Sequence, residues 1–456
     1  MPSNKILTNK SVYGLERTDN RSSFSLRPLV ECASLIPFYG LPATMAGLLF
    51  IAIVLPGKIW LTENFTLPGI LSCLAFLAFL LSCLQWKRDT RRFWSRLLSA
   101  LILGLLYLSI HGPSGLEDGW KRHITIDRPH ELPASSVLSY VIYFIADFFA
   151  LSNNQYISPF AGILAAFAYF KVLDALFVNK NDEENLIIAA LLYFGSSLHL
   201  VFFRDFVSLT QLSVAPLLAS LYFAIHYCRS TTKRSDYAIF LASGCLTIAT
   251  LTHAENIFLF PAIPIIIFLR RLPRKQWYAL AWETFGITAL IVLLCFFTGL
   301  FATKMGFPIT PGDAFGGGDG KTFVPFGPPQ TSSERFSLLS VAHAKEMGNI
   351  LLVLCPLFFL LPLIAFSSQY MKVFLQPENV MLATMTFGYL FFIFLYNFDL
   401  GYPRNIDLML TMGTPFLLVC TLAIVRCVSG KLRWLLVGIS IACSWMYISS
   451  FLEAGY

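Results

Sequence analysis

The sequence predicts an all-α, polytopic integral membrane protein of about thirteen transmembrane helices. A further helix, interfacial or re-entrant, is expected in its first large outer loop. Three features predict this. Of 456 residues, 56% are hydrophobic and only 13% charged, where a soluble chain carries about 25% charged residues. The mean hydropathy is +0.67. Apolar runs of about 20 residues, enough for a hydrocarbon core of about 30 Å, recur from end to end. The alternating segments of about ten residues that a transmembrane barrel needs are absent from the sequence.

Residues 1–34 are polar and include Lys5, Lys10, Arg17, Arg21 and Arg27 without an early apolar run. That is the pattern of a cytoplasmic basic tail with no cleaved signal peptide. Residues 35–95 form an N-terminal hairpin with spans at 35–55 and 68–86. The core, 96–301, has spans at 96–111, 159–178, 186–203, 206–228, 237–253, 257–270 and 278–301, with an outer loop at 112–157. An outer flap loop follows at 302–347, and 348–456 supplies the C-terminal spans 348–368, 379–396, 407–426 and 434–452.

Charge sets the orientation. With the N-terminus inside and 137–151 lying on the outer surface, about two-thirds of the 33 Lys and Arg fall on inner segments. Letting 137–151 cross would invert that bias at most later loops. Asp147 within the segment, and Asn153, Asn154 and Gln155 after it, also suit a polar boundary.

The ten cysteines sit almost entirely in apolar runs, with no CxxC and no Cys/His set at zinc spacing, so neither a disulfide framework nor structural zinc is expected. The net charge of +7 comes from basic residues at span ends, which membrane orientation explains without a nucleic-acid partner.

In this topology the polar connections that look chemical emerge on one face. Glu117 and Asp118, flanked by Gly115 and Gly119, lie in the first outer loop. A carboxylate there can take the proton of an attacking hydroxyl or hold a cation that steadies a phosphate. A solvated acidic pair is the plain alternative. Arg204 and Asp205 sit between two apolar runs, with His199 about one turn earlier; intramembrane charge is a functional candidate, and a local ion pair in a tight hairpin is the plain account. His253 and Glu255, two apart in a turn, can converge on one ligand, while Asn256 is a good helix N-cap before the Ile257 run.

The 302–347 loop carries Pro308, Pro311, Gly316 to Gly318 and Lys321 without meeting a phosphate-loop pattern, and reads as a flexible flap. His343, Lys345 and Glu346 precede the next span. His343 and Glu346 share a helix face, either toward a cavity or as an interfacial helix start. Finally, Asn397 to Asp407 holds Gly401, Tyr402, Pro403 and Arg404. Arg404 is suited to gripping a lipid phosphate, or else to clamping Asp407.

An outer loop after an early span, with an acidic pair and then an amphipathic helix along the membrane, resembles the GT-C superfamily of membrane glycosyltransferases. The resemblance is topological, without a strict motif, and covers about two-thirds of the chain. It implies a polyprenyl-phosphate-linked sugar donor, with an acidic residue of the first outer loop as base or metal ligand. Span 96–111 would be the first core helix, 112–157 the first outer loop with Glu117 or Asp118 in the catalytic position, and 159–301 the rest of the core. The hairpin at 35–86 departs from the family pattern. No large soluble domain follows the last span, which argues against the oligosaccharyltransferase branch.

The expected function is therefore glycosyl transfer on the outer face. Arg204, Asp205, His253, Glu255, His343, Lys345, Arg404 and Asp407 would bind substrate, alongside membrane lipids and an unspecified acceptor. A divalent cation is compatible with the carboxylates, and the sequence does not require one. The alternative is a transporter or flippase for a lipid-linked or small polar substrate. That would use ionisable residues near mid-membrane, for which Lys171, Asp174, His226 and Glu283 are the candidates.

Overall fold

A computed structural model of the chain describes residues 88–109, 157–177, 183–194, 196, 209–229, 236–304, 324–327, 336–361, 375–395, 412–428 and 430–453. Every regular element among the described residues is helical. The α-helices are α1 (Arg88–Ser109), α2 (Ile157–Leu176), α3 (Glu183–Phe194), α4 (Leu209–Arg229), α5 (Ala238–Thr252) and α6 (Ala262–Arg271). They continue with α7 (Trp277–Lys304), α8 (Val341–Leu354), α9 (Pro377–Leu395), α10 (Thr414–Cys427) and α11 (Gly430–Glu453). Short 3-10 turns occupy Ala254–Leu259, Leu272–Arg274 and Phe358–Leu360.

Among the described residues, three stretches are long and apolar enough to cross a membrane: Ala254–Arg274, Trp277–Phe301 and Pro377–Leu395. The predicted spans at 35–55 and 68–86, and the 137–151 segment, lie outside the described residues.

The helices pack in chain-neighbour pairs, α1 on α2, α2 on α4, α4 on α5 and α5 on α7, with α9 joining α6, α10 and the turn at Ala254–Leu259. Small residues allow the close approaches that membrane helices depend on. A Cβ on Gly104 of α1 would fall 2.3 Å from Ile163 Cγ1 of α2, and one on Gly413 would fall 2.2 Å from Leu354 Cδ2. Helix α10 is buried without a break from Thr414 to Val425, which makes it the centre of its neighbourhood. Tyr169 of α2 stacks on Tyr193 of α3 with ring centroids 4.1 Å apart.

Several hydroxyls within the helices bond to their own helix. In α5, Ser243, Thr247, Thr250 and Thr252 each donate to the carbonyl four residues back at 2.7–2.9 Å. That local bond keeps a polar side chain from facing hydrocarbon unpaired. Helix α7, 28 residues and so about 42 Å long, is the outlier: Trp282, Phe285, Val292, Phe296 and Phe297 are all more than half exposed. An apolar face of that kind is at home against lipid tails.

Candidate functional site

The two ends of the helix array differ in chemistry. At one end, arginines and carboxylates pair across helices. Arg96 near the start of α1 grips Asp174 near the end of α2, with Nη2 3.0 Å and Nε 3.1 Å from Oδ1. Arg229, ending α4, donates to Glu378 at the start of α9 at 2.8 Å and also to the carbonyl of Ala175. Arg270 and Arg271, ending α6, both pair with Asp236, which precedes α5. Arg271 also pairs with Glu283 near the start of α7 and donates to Gln276 Oε1 at 2.8 Å. Tyr227 Oη donates to Glu283 at 2.8 Å. Arg433 of α11 donates to Asn185 of α3 at 2.9 Å, and Trp434 Nε1 to Glu184 at 3.3 Å.

Two of the four ionisable residues that a carrier reading singled out, Asp174 and Glu283, are thus held by arginines in this layer. Of the basic residues that orientation alone explained, Arg96, Arg229, Arg270 and Arg271 are matched charges. Sequence reasoning passed over Tyr227 and Glu378, and the signal available was their position at helix ends beside arginines.

The opposite end carries the candidate site. Helix α5 stops at Thr252, and His253 takes an extended backbone (φ −148°, ψ 103°) before the 3-10 turn Ala254–Leu259. That kink brings the His253 ring onto the Glu255 carboxylate, Nδ1 against Oε2, with His253 4% and Glu255 7% exposed. The two residues that the sequence expected to converge on a ligand meet each other. A carboxylate on Nδ1 fixes the ring's orientation and favours the tautomer with its lone pair on Nε2.

Asn256 has a different role from the expected N-cap. Its Nδ2 donates to the carbonyls of Ala249 and His253, 3.1 Å each. It therefore adds a second donor to two carbonyls at the end of α5 that already accept the His253 and Asn256 backbone N–H groups, instead of serving the following N–H groups.

Helix α9 supports this break from behind. A Cβ on Gly388 would fall 2.1 Å from the carbonyl oxygen of Phe258, and the Phe258 ring sits 5.5 Å from that of Phe392 and 6.1 Å from that of Phe391. The last turn of α9 also holds His343. Its Nε2 meets the Phe394 carbonyl at 2.8 Å, its ring lies between Phe336 and Phe394, and its N–H is capped by Ser340 Oγ at 3.1 Å. His343 and the His253–Glu255 break thus rest on the same closing turns of α9. Lys345, two residues on, is exposed.

Within the 302–347 loop, residues 324–327 and 336–340 are described between the end of α7 and the start of α8. Val324 N–H donates to the Leu395 carbonyl at 2.8 Å, Leu338 N–H donates to the Pro325 carbonyl at 2.8 Å, and both side chains are buried.

Glu117, Asp118, Arg204, Asp205, Arg404 and Asp407 lie outside the described residues. Flanking helix ends are described: Ser109, Phe194, Leu209 and Leu395 are the ends of α1, α3, α4 and α9 away from the arginine layer. Among the described residues no group of three or more His, Cys, Asp or Glu could hold a metal ion. No protein-family model matches the chain, and no curated protein matches it in sequence.

Proposed function

We propose that the chain is a membrane glycosyltransferase of GT-C type, moving a sugar from a polyprenyl-phosphate-linked donor to an acceptor on the outer face of a thirteen-span bundle. The observation that carries this reading is the asymmetry of the two ends. One is closed by matched Arg–carboxylate pairs; the other holds a buried, carboxylate-oriented histidine at a helix break. An enzyme working on one face needs that contrast, because loops carry the chemistry and helices position it. A two-sided carrier would instead leave its acidic groups available along its path, and Asp174 and Glu283 are taken by arginines.

In this reading Glu117 or Asp118 takes the proton of the acceptor hydroxyl as its oxygen bonds to the anomeric carbon. The anomeric carbon–oxygen bond to phosphate breaks in the same displacement, and Arg404, with Arg204 or Lys345, neutralises the departing lipid phosphate. His253 and Glu255 bind sugar hydroxyls through Nε2 and the second carboxylate oxygen, with Asp205, His343 and Asp407 completing the donor pocket.

Purified protein in nanodiscs, given a polyprenyl-phosphate-linked sugar and a mixture of acceptor lipids and glycans, tests it. Glu117→Gln or Asp118→Asn should lower transfer by about a hundredfold or more, the range of a lost general base. Glu255→Gln should weaken donor binding with the chain still folded. Full transfer by both carboxylate variants would sink the base assignment, and absence of transfer from every such donor would sink the reading.

A further inference from the structure

Two of the ionisable residues within the helices have no place in the arginine layer, and they share a neighbour. Lys171 of α2 brings its Nζ to 5.8 Å from the centre of the Tyr222 ring on α4. The His226 ring, one turn along α4, stacks on that same Tyr222 at 6.4 Å with the planes 11° apart. The sequence scatters the three over 56 positions; the α2–α4 contact gathers them into one array. His226 is exposed, while Lys171 and Tyr222 are half-exposed.

The local charge is unbalanced. Asp174, one turn from Lys171 on the same helix, is taken by Arg96 through both Nε and Nη2. Glu378, at the start of α9, is taken by Arg229. Among the described residues no carboxylate pairs with Lys171. A cation–π contact to tyrosine offsets part of an ammonium's desolvation and leaves its other donors pointing outward.

Depth identifies the ligand. Lys171 lies five residues before the end of α2 and His226 three before the end of α4, so about 7.5 and 4.5 Å inside the basic end at 1.5 Å per residue. At that level a lysine stem reaches the boundary between acyl chains and headgroups. An aromatic ring belongs to the same boundary.

We propose that Lys171, Tyr222 and His226 form a binding site for the phosphate of an anionic phospholipid headgroup, at the lipid-facing seam between α2 and α4. The ammonium and an imidazole N–H donate to the phosphate oxygens, while Tyr222 holds both donors in register. The site lies at the basic end, away from the His253–Glu255 break, and does not depend on the transferase reading.

The test uses the full chain in detergent, with phosphatidylglycerol or phosphatidylcholine added, read by native mass spectrometry and by the lipid-induced rise in melting temperature. The wild type should retain phosphatidylglycerol over phosphatidylcholine. Lys171→Met, which keeps the apolar stem, should reduce that preference by about fivefold, the worth of one basic residue at an anionic surface. Lys171→Arg should restore it, and Lys304→Met, at the other end of the bundle, should leave it unchanged. Because each protein is compared with itself with and without lipid, a lowered baseline stability does not mask the result. Equal preference in wild type and Lys171→Met overturns the proposal. Inorganic phosphate that binds the lipid-free protein with the same Lys171 dependence, and displaces phosphatidylglycerol, overturns the lipid as source in favour of a free anion.

Discussion

Gly388 of α9 lies against the backbone carbonyl of Phe258 so closely that a Cβ at position 388 would sit 2.1 Å from that oxygen. The contact is backbone against helix, so no side chain can rotate away to make room. It holds the Ala254–Leu259 turn, and with it the His253–Glu255 pair, at a set distance from α9. Gly388→Ala should destabilise the protein by about 2 kcal/mol, the usual scale of overfilling a close contact. It should also reduce any activity that depends on His253. Thermal unfolding in mild detergent checks the first part; an unchanged midpoint would mean that α9 and the turn move apart freely.

Removing either partner of the Arg271–Glu283 pair should have unequal effects. Without Arg271, Glu283 retains Tyr227 Oη as its remaining partner in the pair's surroundings. Without Glu283, Arg271 keeps Asp236 and Gln276. Arg271→Ala should therefore cost about 3 kcal/mol, near the value for stranding a buried charge, and Glu283→Ala clearly less. The double variant Arg271→Met, Glu283→Leu should cost less than the sum of the two single changes. Equal single losses in chemical unfolding would refute this account of the layer.

Lys275 has a left-handed backbone, φ 54° and ψ 34°, where the chain turns from Leu272–Arg274 into α7. Its N–H donates to the Leu272 carbonyl at 3.0 Å and that of Gln276 to the Arg271 carbonyl at 3.2 Å. Glycine adopts that conformation without the Cβ penalty. Lys275→Gly should raise stability by up to about 1 kcal/mol, and Lys275→Val should lower it because a β-branched side chain fits the left-handed region worst. Identical melting of the two variants would contradict the strain argument.

The proposed topology places Ser152 outside and Asn181 inside. In a background lacking the native cysteines, a cysteine at 152 should react with a membrane-impermeant maleimide on intact cells, and one at 181 only after permeabilisation. The reverse pattern would make 137–151 a crossing segment and turn over every loop after it.

What was legible in the sequence follows from how local each signal is. Hydropathy and charge are local, so some helices came through with their ends, 278–301 against Trp277–Lys304 and 379–396 against Pro377–Leu395, while the span expected at 348–368 meets a helix that starts at Val341 and stops at Leu354. The polar break at His253 and Glu255 was visible because an apolar run rarely carries such residues without reason. Asn256 was read as an N-cap because capping preference is a statement about frequency. Only the fold shows that the carbonyls of Ala249 and His253 compete for its donor. Gly388 carried no signal at all: a lone glycine in an apolar helix says nothing of the carbonyl 130 residues earlier that requires it. The same holds for Lys171 and His226, whose common partner appears only when α2 and α4 meet.

The bond from Arg433 to Asn185 joins residues 248 apart in the chain. At a synthesis rate of about 5–20 residues per second, roughly 12–50 s pass between the emergence of the two partners. Through that interval α3 lacks its bonds to α11. The arginine layer is thus a record of order in time: Arg96 and Asp174 are both made early, while the bonds from α11 to α3 form last. A nascent chain stalled before Gly430 would present Glu184 and Asn185 at the membrane surface without these partners, which is the kind of mark by which membrane quality control tells unfinished chains from finished ones.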